Sequence, residues 1–132
     1  MSVQFGADAD AQFSTIDRIG GCIGFDMFDI ESEPGAMHVR LLTRCGGFYW
    51  TSFQSQQPYP IYRYNASEGA YVIDNSFLDP HKRVHNKDCG RYYRLEESDL
   101  LSLRLGYNSY WVTVGGKSLR MSRGTRSCDR QE

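Results

Sequence analysis

The chain has 132 residues and a formal net charge of −1. This length predicts one domain, residues 1–132, with a sizeable core, and no apolar run approaches the roughly 20 residues of a membrane helix. We therefore expect no membrane partner. The charge is unevenly spread, because residues 1–35 carry seven acidic residues and one arginine, whereas residues 81–132 carry eleven basic and six acidic residues. We expect these two ends to attract each other across the fold; a basic face for an acidic partner is the alternative.

The N-terminal part of the chain predicts one short helix followed by a strand. Asp8 or Asp10 can cap a helix over residues 7–19, because a short polar side chain binds the free N–H groups of a first turn. Two glycines after this segment would end the helix. Residues 22–30, with the sequence CIGFDMFDI, then predict a strand rich in apolar and aromatic side chains.

The middle of the chain predicts two further hairpins and a long loop. Residues 37–45 and 48–53 flank two glycines, and residues 61–65 and 70–73 flank a polar turn. We predict residues 74–88 to be the longest loop, because this stretch contains an Asp-Pro pair and a cluster of basic residues. A loop of this length in a small domain is more often functional than a tight turn is.

Residues 90–124 give the clearest signal of β structure. Leucines alternate with serine and arginine from Leu101 to Leu105, which is the two-residue period of a half-buried strand. The pair Gly115-Gly116 predicts a tight hairpin, because glycine adopts the positive φ angles that such turns need. We expect three or four short strands here. The predicted fold class is all-β: short antiparallel strands in a trefoil, barrel or sandwich, with at most one short N-terminal helix.

The cysteine content predicts disulfides and an oxidising compartment. An even number of widely spaced cysteines in a small domain is typical of two disulfides. Three pairings are open, and we favour Cys22 with Cys128 and Cys45 with Cys89. The sequon Asn65-Ala66-Ser67 fits a secreted loop. We therefore expect a mature secreted protein whose leader has been removed; a reduced cytosolic protein is the alternative.

The sequence predicts no catalytic residues, no metal and no cofactor. His81, His85 and Cys89 are spaced by four, so a helix would bring three metal ligands onto one face. The expected loop and the expected disulfide at Cys89 both argue against that site. No nucleophile motif occurs, and the glycines before Lys117 lack the spacing of a phosphate-binding loop.

The segment Tyr59-Pro60-Ile61 is followed by Lys82-Arg83-Val84 and Asn86. This pattern resembles the secreted fungal ribonucleases of the T1 and sarcin type. In that family a carboxylate, an arginine and two histidines cleave RNA by general acid–base chemistry. The resemblance implies a phosphate-binding role for Arg83. This chain has Tyr59 where the family has a glutamate, and no histidine follows His85. The resemblance therefore extends to ribonuclease-like fungal effectors without activity.

Residues 39–41 (VRL) match residues 103–105 (LRL), and residues 49–50 (YW) match residues 110–111 (YW), as two copies of one hairpin unit would. These paired hairpins resemble the units of β-trefoil proteins of the fascin-like, lectin and Kunitz-inhibitor kinds. Two unrelated hairpins are the alternative to this internal repeat. The resemblance implies a trefoil barrel that binds a protease or a glycan.

We expect a secreted, non-enzymatic binding protein that displays loops on a rigid core. The partner we favour is another protein, such as a host protease or another target of a small microbial effector; we do not expect nucleic acid. A glycan-binding module that uses Trp50 or Trp111 as a platform, and a T1-type ribonuclease, are the alternatives. We predict binding loops at residues 54–62 and 75–87. These loops contain aromatic and basic side chains that are common in interfaces: Tyr59, Tyr62, His81, Lys82, Arg83 and His85.

Overall fold

A computed structural model describes residues 11–16, 21–46, 51–55 and 57–123 of the chain, and of residues 11–16, 51 and 52 it describes the backbone alone. These ranges contain nine strands and one α-helix. The helix is α1 (Asp79–Cys89), preceded by a single 3-10 turn, Asn75–Phe77. The strands are β1 (Ala11–Ile16), β2 (Gly21–Asp29), β3 (Ala36–Cys45), β4 (Thr51–Gln54), β5 (Ile61–Asn65), β6 (Ala70–Val72), β7 (Ser102–Gly106), β8 (Ser109–Val114) and β9 (Lys117–Arg123).

All nine strands belong to one antiparallel sheet that is nearly closed into a barrel. Strand β1 lies between β2 and β9, β2 pairs with β3, and the strands from β5 to β9 pair in chain order. One edge of β3 carries β5 along residues 36–38 and β4 along residues 42–45. This architecture confirms the predicted all-β class of short antiparallel strands, and it leaves few strand edges open to other chains.

The prediction of an N-terminal helix is wrong. Residues 11–16 form β1, which pairs with β2 over six positions, from Ala11 opposite Met27 to Ile16 opposite Cys22. On its other edge β1 pairs with β9. Neighbours on both edges outweigh the weak helix preference of a segment that contains β-branched residues. The rest of the predicted helix lies outside the described residues.

The prediction that residues 74–88 form a loop is also wrong. The stretch contains the 3-10 turn and then α1, with Pro80 in the first turn, where the missing N–H has no helical partner to lose. Asp79 at the start and Lys87 near the end complement the helix dipole. Pro80, which we interpreted as a sign of a loop, therefore lies in the first turn of a helix.

The other predicted strands and the C-terminal hairpin are confirmed within the described residues; residues 48–50 of the predicted strand 48–53 lie outside them. Strands β5 and β6 match the predicted pair, and the sequon lies in the turn between them. Gly115 and Gly116 join β8 to β9 with φ angles of 59° and 79°, the left-handed conformation that a two-residue hairpin turn requires. Within residues 90–124 the structure describes three strands, β7 to β9.

One apolar cluster fills the interior of the sheet. Phe25, Leu41, Leu103 and Met121 come from four different strands, and none of them is more than 1% exposed. Tyr62 lies in the same cluster, where its hydroxyl donates to the carbonyl oxygen of Leu100 over 2.6 Å. Burial raises the pKa of Tyr62 well above its ordinary value, so this tyrosine is a neutral core residue.

A disulfide fastens α1 to the sheet. Cys45 at the end of β3 bonds to Cys89 at the end of α1, with the two Cα atoms 5.7 Å apart. This bond is one of the two that we predicted. Cys22 is likewise not a free thiol, and its predicted partner, Cys128, lies outside the described residues. No helix in the described ranges is long and apolar enough to cross a bilayer.

Candidate functional site

A cleft of about 810 Å³ opens between α1 and the chain segment that joins β4 to β5. Most of its lining is apolar, with aromatic and proline side chains on both walls. The cleft brings together the two segments that we predicted to bind a partner, residues 54–62 and 75–87. Its lining residues are His38, Phe53, Gln54, Ser55, Pro58, Tyr59, Pro60, Ile61, Arg63, Phe77, Pro80, His81 and Val84.

The first wall is an irregular segment pinned to β3 at both of its ends. At one end the Ser55 N–H donates to the carbonyl oxygen of Leu41 over 2.9 Å, and Ser55 Oγ accepts from the Leu41 N–H over 3.1 Å. At the other end the carbonyl oxygen of Pro60 accepts from the Val39 N–H over 2.9 Å. These bonds hold the aromatic and proline side chains of the wall against the barrel.

Tyr59 and His38 fix the base of the first wall. The Tyr59 ring is buried and stacks on Phe28, with centroids 6.0 Å apart and an angle of 23° between the planes. His38 Nδ1 donates to the carbonyl oxygen of Tyr59 over 3.2 Å. This part of the wall is therefore preorganised, and a ligand would meet it without first ordering it.

The second wall is formed by the 3-10 turn and the outer side of α1. Asp74 Oδ1 accepts from the Ser76 N–H over 2.9 Å and begins the turn. Phe77 and Val84 then project along the rim with 66% and 50% of their surfaces exposed. Two large apolar side chains so exposed beside an apolar cleft are typical of a binding surface.

Lys82 anchors the second wall from beneath. Its ammonium group is buried and donates to Asn75 Oδ1 (2.7 Å) and to the carbonyl oxygens of Glu96 (2.9 Å) and Glu97 (3.1 Å). An ammonium has three N–H donors, so these three acceptors satisfy it. Burial lowers the pKa of Lys82, and the carboxylates of Asp99, Asp79 and Glu97 oppose that shift.

Two histidines of α1 share one buried hydroxyl on β3. His85 Nε2 lies 3.1 Å from the carbonyl oxygen of Tyr93, which only accepts, so Nε2 carries the proton. Burial lowers the pKa of His85, the ring is neutral, and its Nδ1 must then accept from the Thr43 hydroxyl over 3.1 Å. Thr43 has a single proton, so its oxygen accepts from His81 Nε2 over 2.9 Å. The contacts thus form a directed chain: His81 donates to Thr43, Thr43 to His85 and His85 to Tyr93.

The directed chain of hydrogen bonds determines which ring nitrogen of His81 carries a proton and which one can accept a hydrogen bond from a ligand. Burial, reinforced by the neighbouring His85, lowers the pKa of His81 to about 4. The ring is therefore neutral near pH 7 with its proton on Nε2, and Nδ1 keeps a lone pair that no group among the described residues binds. His81 is a hydrogen-bond acceptor on an otherwise apolar wall.

Ion pairs border the cleft. Arg63 Nε donates to Glu33 Oε2 over 2.6 Å, and this contact lowers the pKa of Glu33. Arg83 Nε pairs with Asp79 Oδ2 over 2.6 Å on the exposed surface of α1. Both pairs are exposed and add little stability; of the four residues, only Arg63 lines the cleft.

The structure places the predicted binding residues in three different environments. Tyr59 and His81 line the cleft, and Arg83 is exposed on α1. Tyr62, Lys82 and His85 are buried and hold the fold. The cleft is also lined by residues that we did not predict to bind a partner, including His38, Phe53, Arg63, Phe77 and Val84. For Phe77 and Val84 the sequence offers one signal, since each is an apolar residue within a polar stretch.

The histidine and cysteine spacing of α1 does place three potential ligands along one helix, yet it builds no metal site. Cys89 is oxidised in its bond to Cys45, so it has no thiolate to offer. His81 and His85 both turn a nitrogen to Thr43. Across the described residues, no group of three or more histidine, cysteine or acidic side chains is placed to hold a metal.

Comparison of the chain with family models, curated proteins and solved structures finds no significant match. The resemblances to β-trefoil proteins and to T1-type ribonucleases therefore stay predictions. Function has to be inferred from the geometry of this chain.

Proposed function

We propose that the protein is a secreted, non-enzymatic binding protein whose cleft holds an apolar segment of a partner protein. The observation that supports this most is the preformed apolar cleft with Phe77 and Val84 exposed at its rim. A host protease, or another host target of a small microbial effector, is the partner class that we favour.

The rim argues for a partner larger than the cleft itself. A small molecule inside the cleft would cover only the parts of Phe77 and Val84 that line it. A peptide segment that continues beyond the cleft would cover both side chains, and aromatic and apolar anchors of this kind dominate the energy of protein interfaces. The His81 lone pair offers an acceptor for a backbone N–H of that segment.

The roles of the histidines argue for binding in preference to catalysis. His85 has no exposed surface, and both of its ring nitrogens have partners inside the protein. A ribonuclease of the T1 type needs histidines that reach the substrate. The ribonuclease hypothesis also needs Arg83 to bind phosphate, and Arg83 is paired with Asp79. These residues are therefore better suited to holding α1 in place than to moving protons to a substrate.

The disulfide supports the secreted location. Bonds such as the one between Cys45 and Cys89 form and persist in oxidising compartments and are rare in the cytosol. Mass measurement of the purified native protein with and without reductant tests this part. A mass gain of four hydrogen atoms on reduction is expected, two for each disulfide, and free thiols in the native protein would contradict secretion.

The binding role is tested with matched surface variants. Selection from a displayed peptide library should enrich peptides with apolar and aromatic residues. Calorimetry then measures the affinity of the strongest peptide for the wild type, for Val84→Lys and for Leu105→Lys. Val84 and Leu105 are 50% and 48% exposed, so the two variants make the same change at equally exposed sites. We expect Val84→Lys to weaken binding about tenfold or more and Leu105→Lys to leave it unchanged.

A second pair of variants removes aromatic surface instead of adding charge. Phe77→Ser should weaken binding, whereas Tyr107→Ser, at a position 91% exposed and outside the cleft lining, should not. Equal effects of the cleft and control variants would show that the peptide binds elsewhere. The protease form of the proposal is tested by titrating papain-like and serine proteases. If the partner is a protease, the wild-type protein should inhibit it and the Val84→Lys variant should not.

A further inference from the structure

Strands β7, β8 and β9 form a three-stranded meander with an apolar inner face and a polar outer face. Leu103, Val112, Leu119 and Met121 point into the core and are 8% exposed or less. Because side chains alternate along a strand, the residues between them point outward. We call these residues the outer face: Ser102, Arg104 and Gly106 on β7, Trp111 and Thr113 on β8, and Ser118, Arg120 and Ser122 on β9. Ser109 of β8 does not belong to this face, because it is buried.

An aromatic residue lies between two arginines at the centre of the outer face. Arg104 is opposite Trp111, and Trp111 is opposite Arg120, so the three residues form one row across the strands. Neighbouring strands are about 4.8 Å apart, which places the two arginine backbones about 10 Å from each other. Both arginines are exposed.

The meander carries an unbalanced positive charge. From residue 100 to residue 123 the chain has four basic residues and no acidic one. Elsewhere in the sheet and the helix, Arg40, Arg63 and Arg83 pair with carboxylates. No carboxylate among the described residues forms an ion pair with Arg104 or Arg120. Arg120 donates to the carbonyl oxygen of Tyr107 over 3.4 Å, which leaves its charge uncompensated.

The indole of Trp111 is supported from one side. A Cβ atom at Gly106 would lie 3.0 Å from Nε1 and 3.2 Å from Cδ1 of Trp111, so the pyrrole edge of the ring passes over the bare glycine of β7. No guanidinium and no second aromatic ring within the described ranges stacks on this indole. The ring is therefore held by the sheet while neither flanking arginine covers it.

We propose that the outer face of β7 to β9 binds an acidic oligosaccharide. The indole provides the platform for the C–H face of one sugar ring, since such rings stack on aromatic side chains. Arg104 and Arg120 bind carboxylate or sulfate groups on the units to either side, because the guanidinium fork matches the oxygens of these groups. The serine and threonine hydroxyls around the row match sugar hydroxyls. This site is separate from the cleft and does not depend on the function proposed for it.

The surface fits a glycan better than it fits a nucleic acid. Proteins that track single-stranded nucleic acids use several aromatic platforms in succession, whereas this face has one aromatic residue among hydroxyl-bearing residues. The disulfide points to an oxidising compartment, where acidic polysaccharides are the abundant polyanions. The positive charge of Arg104 and Arg120 and the single aromatic platform of Trp111 therefore favour an acidic oligosaccharide as the ligand.

Calorimetry on the whole protein tests the proposal with four probes: oligogalacturonic acid, its methyl ester, a heparin-derived oligosaccharide and oligothymidylate. The test variant is Arg104→Gln/Arg120→Gln. The control variant is Arg83→Gln/Arg94→Gln, which changes the net charge by the same amount at two exposed arginines outside the outer face. Trp111→Ala tests the platform. Val84→Lys, at the cleft, reports whether the two sites are independent. Thermal unfolding shows that each variant is folded.

We expect at least one of the two acidic oligosaccharides to bind, with an affinity that falls as salt is added. If the uronate binds, its methyl ester should bind about tenfold more weakly or not at all. The double variant of Arg104 and Arg120 and the Trp111 variant should each lose about tenfold or more, and the control pair and Val84→Lys should bind as the wild type does. Absence of binding to both acidic oligosaccharides, equal losses in the control pair, or tighter binding of oligothymidylate would each overturn the proposal.

Discussion

Replacing Thr43 with valine should destabilise the protein far more than its small change in shape suggests. Thr43 is fully buried, and its hydroxyl accepts from His81 and donates to His85. Valine keeps the shape and removes both hydrogen bonds. Each net bond is worth about 1 kcal/mol, and a buried acceptor without a partner costs a further 1–3 kcal/mol or so. We therefore expect the free energy of unfolding to fall by about 3–5 kcal/mol.

Two companion variants make this prediction specific. Thr113→Val makes the same change at an exposed position of β8 and should alter the free energy of unfolding by less than about 0.5 kcal/mol. Thr43→Ser keeps the hydroxyl and loses one methyl group, which costs about 1 kcal/mol. Equilibrium unfolding in urea, under conditions that keep the disulfide oxidised, measures all three. If Thr43→Val and Thr113→Val have equal effects, the directed hydrogen-bond chain is not present.

Three further predictions concern the anchors of α1. The pKa of His81 is lowered to about 4 from an ordinary 6.5, so between these pH values the unfolded chain binds a proton that the folded protein does not. The free energy of unfolding is therefore highest above pH 6.5 and should fall by roughly 3 kcal/mol as the pH drops to about 4. Urea unfolding across that range measures the fall, and His81→Gln should make the fall smaller. Lys82→Met removes a buried ammonium and leaves its three acceptors unpaired, so we expect a loss of about 2–4 kcal/mol, against almost none for the exposed Lys117→Met in the same assay. Removing the disulfide by Cys45→Ala/Cys89→Ala frees a loop of 44 residues, which should cost roughly 4 kcal/mol by chain entropy; an unchanged urea midpoint would show that the bond does not constrain the chain.

The sequence predicts the strands well because their alternation is carried by apolar residues. In β7 to β9 the inward positions are leucine, valine and methionine, so the two-residue period is visible. Helix α1 has a clear period as well, since Lys82, His85 and Cys89 form its buried side. Two of these residues are polar, and their burial depends on partners from distant segments. Hydrophobicity along the chain cannot reveal such a helix.

The sequence indicates which two segments form the candidate site, but not how these segments are arranged in space. Residues 54–62 and 75–87 were identified from their length and composition, and the structure brings them together as the walls of one cleft. The direction of an individual side chain could not be predicted, because a tyrosine or histidine in a polar segment can point either way. Tyr62 and His85 turn inward, where Leu100 and Thr43 offer partners that no local pattern predicts.

The measurement that tests the proposed function most directly is a titration of the isotope-labelled protein with the strongest library-selected peptide, followed by NMR. We expect the amide shift changes to cluster at residues 53–63 and 77–84, the two walls of the cleft, and Val84→Lys to need a peptide concentration about tenfold higher or more for the same changes. Shift changes confined to residues 102–123, or spread evenly over the barrel, would contradict the proposed function.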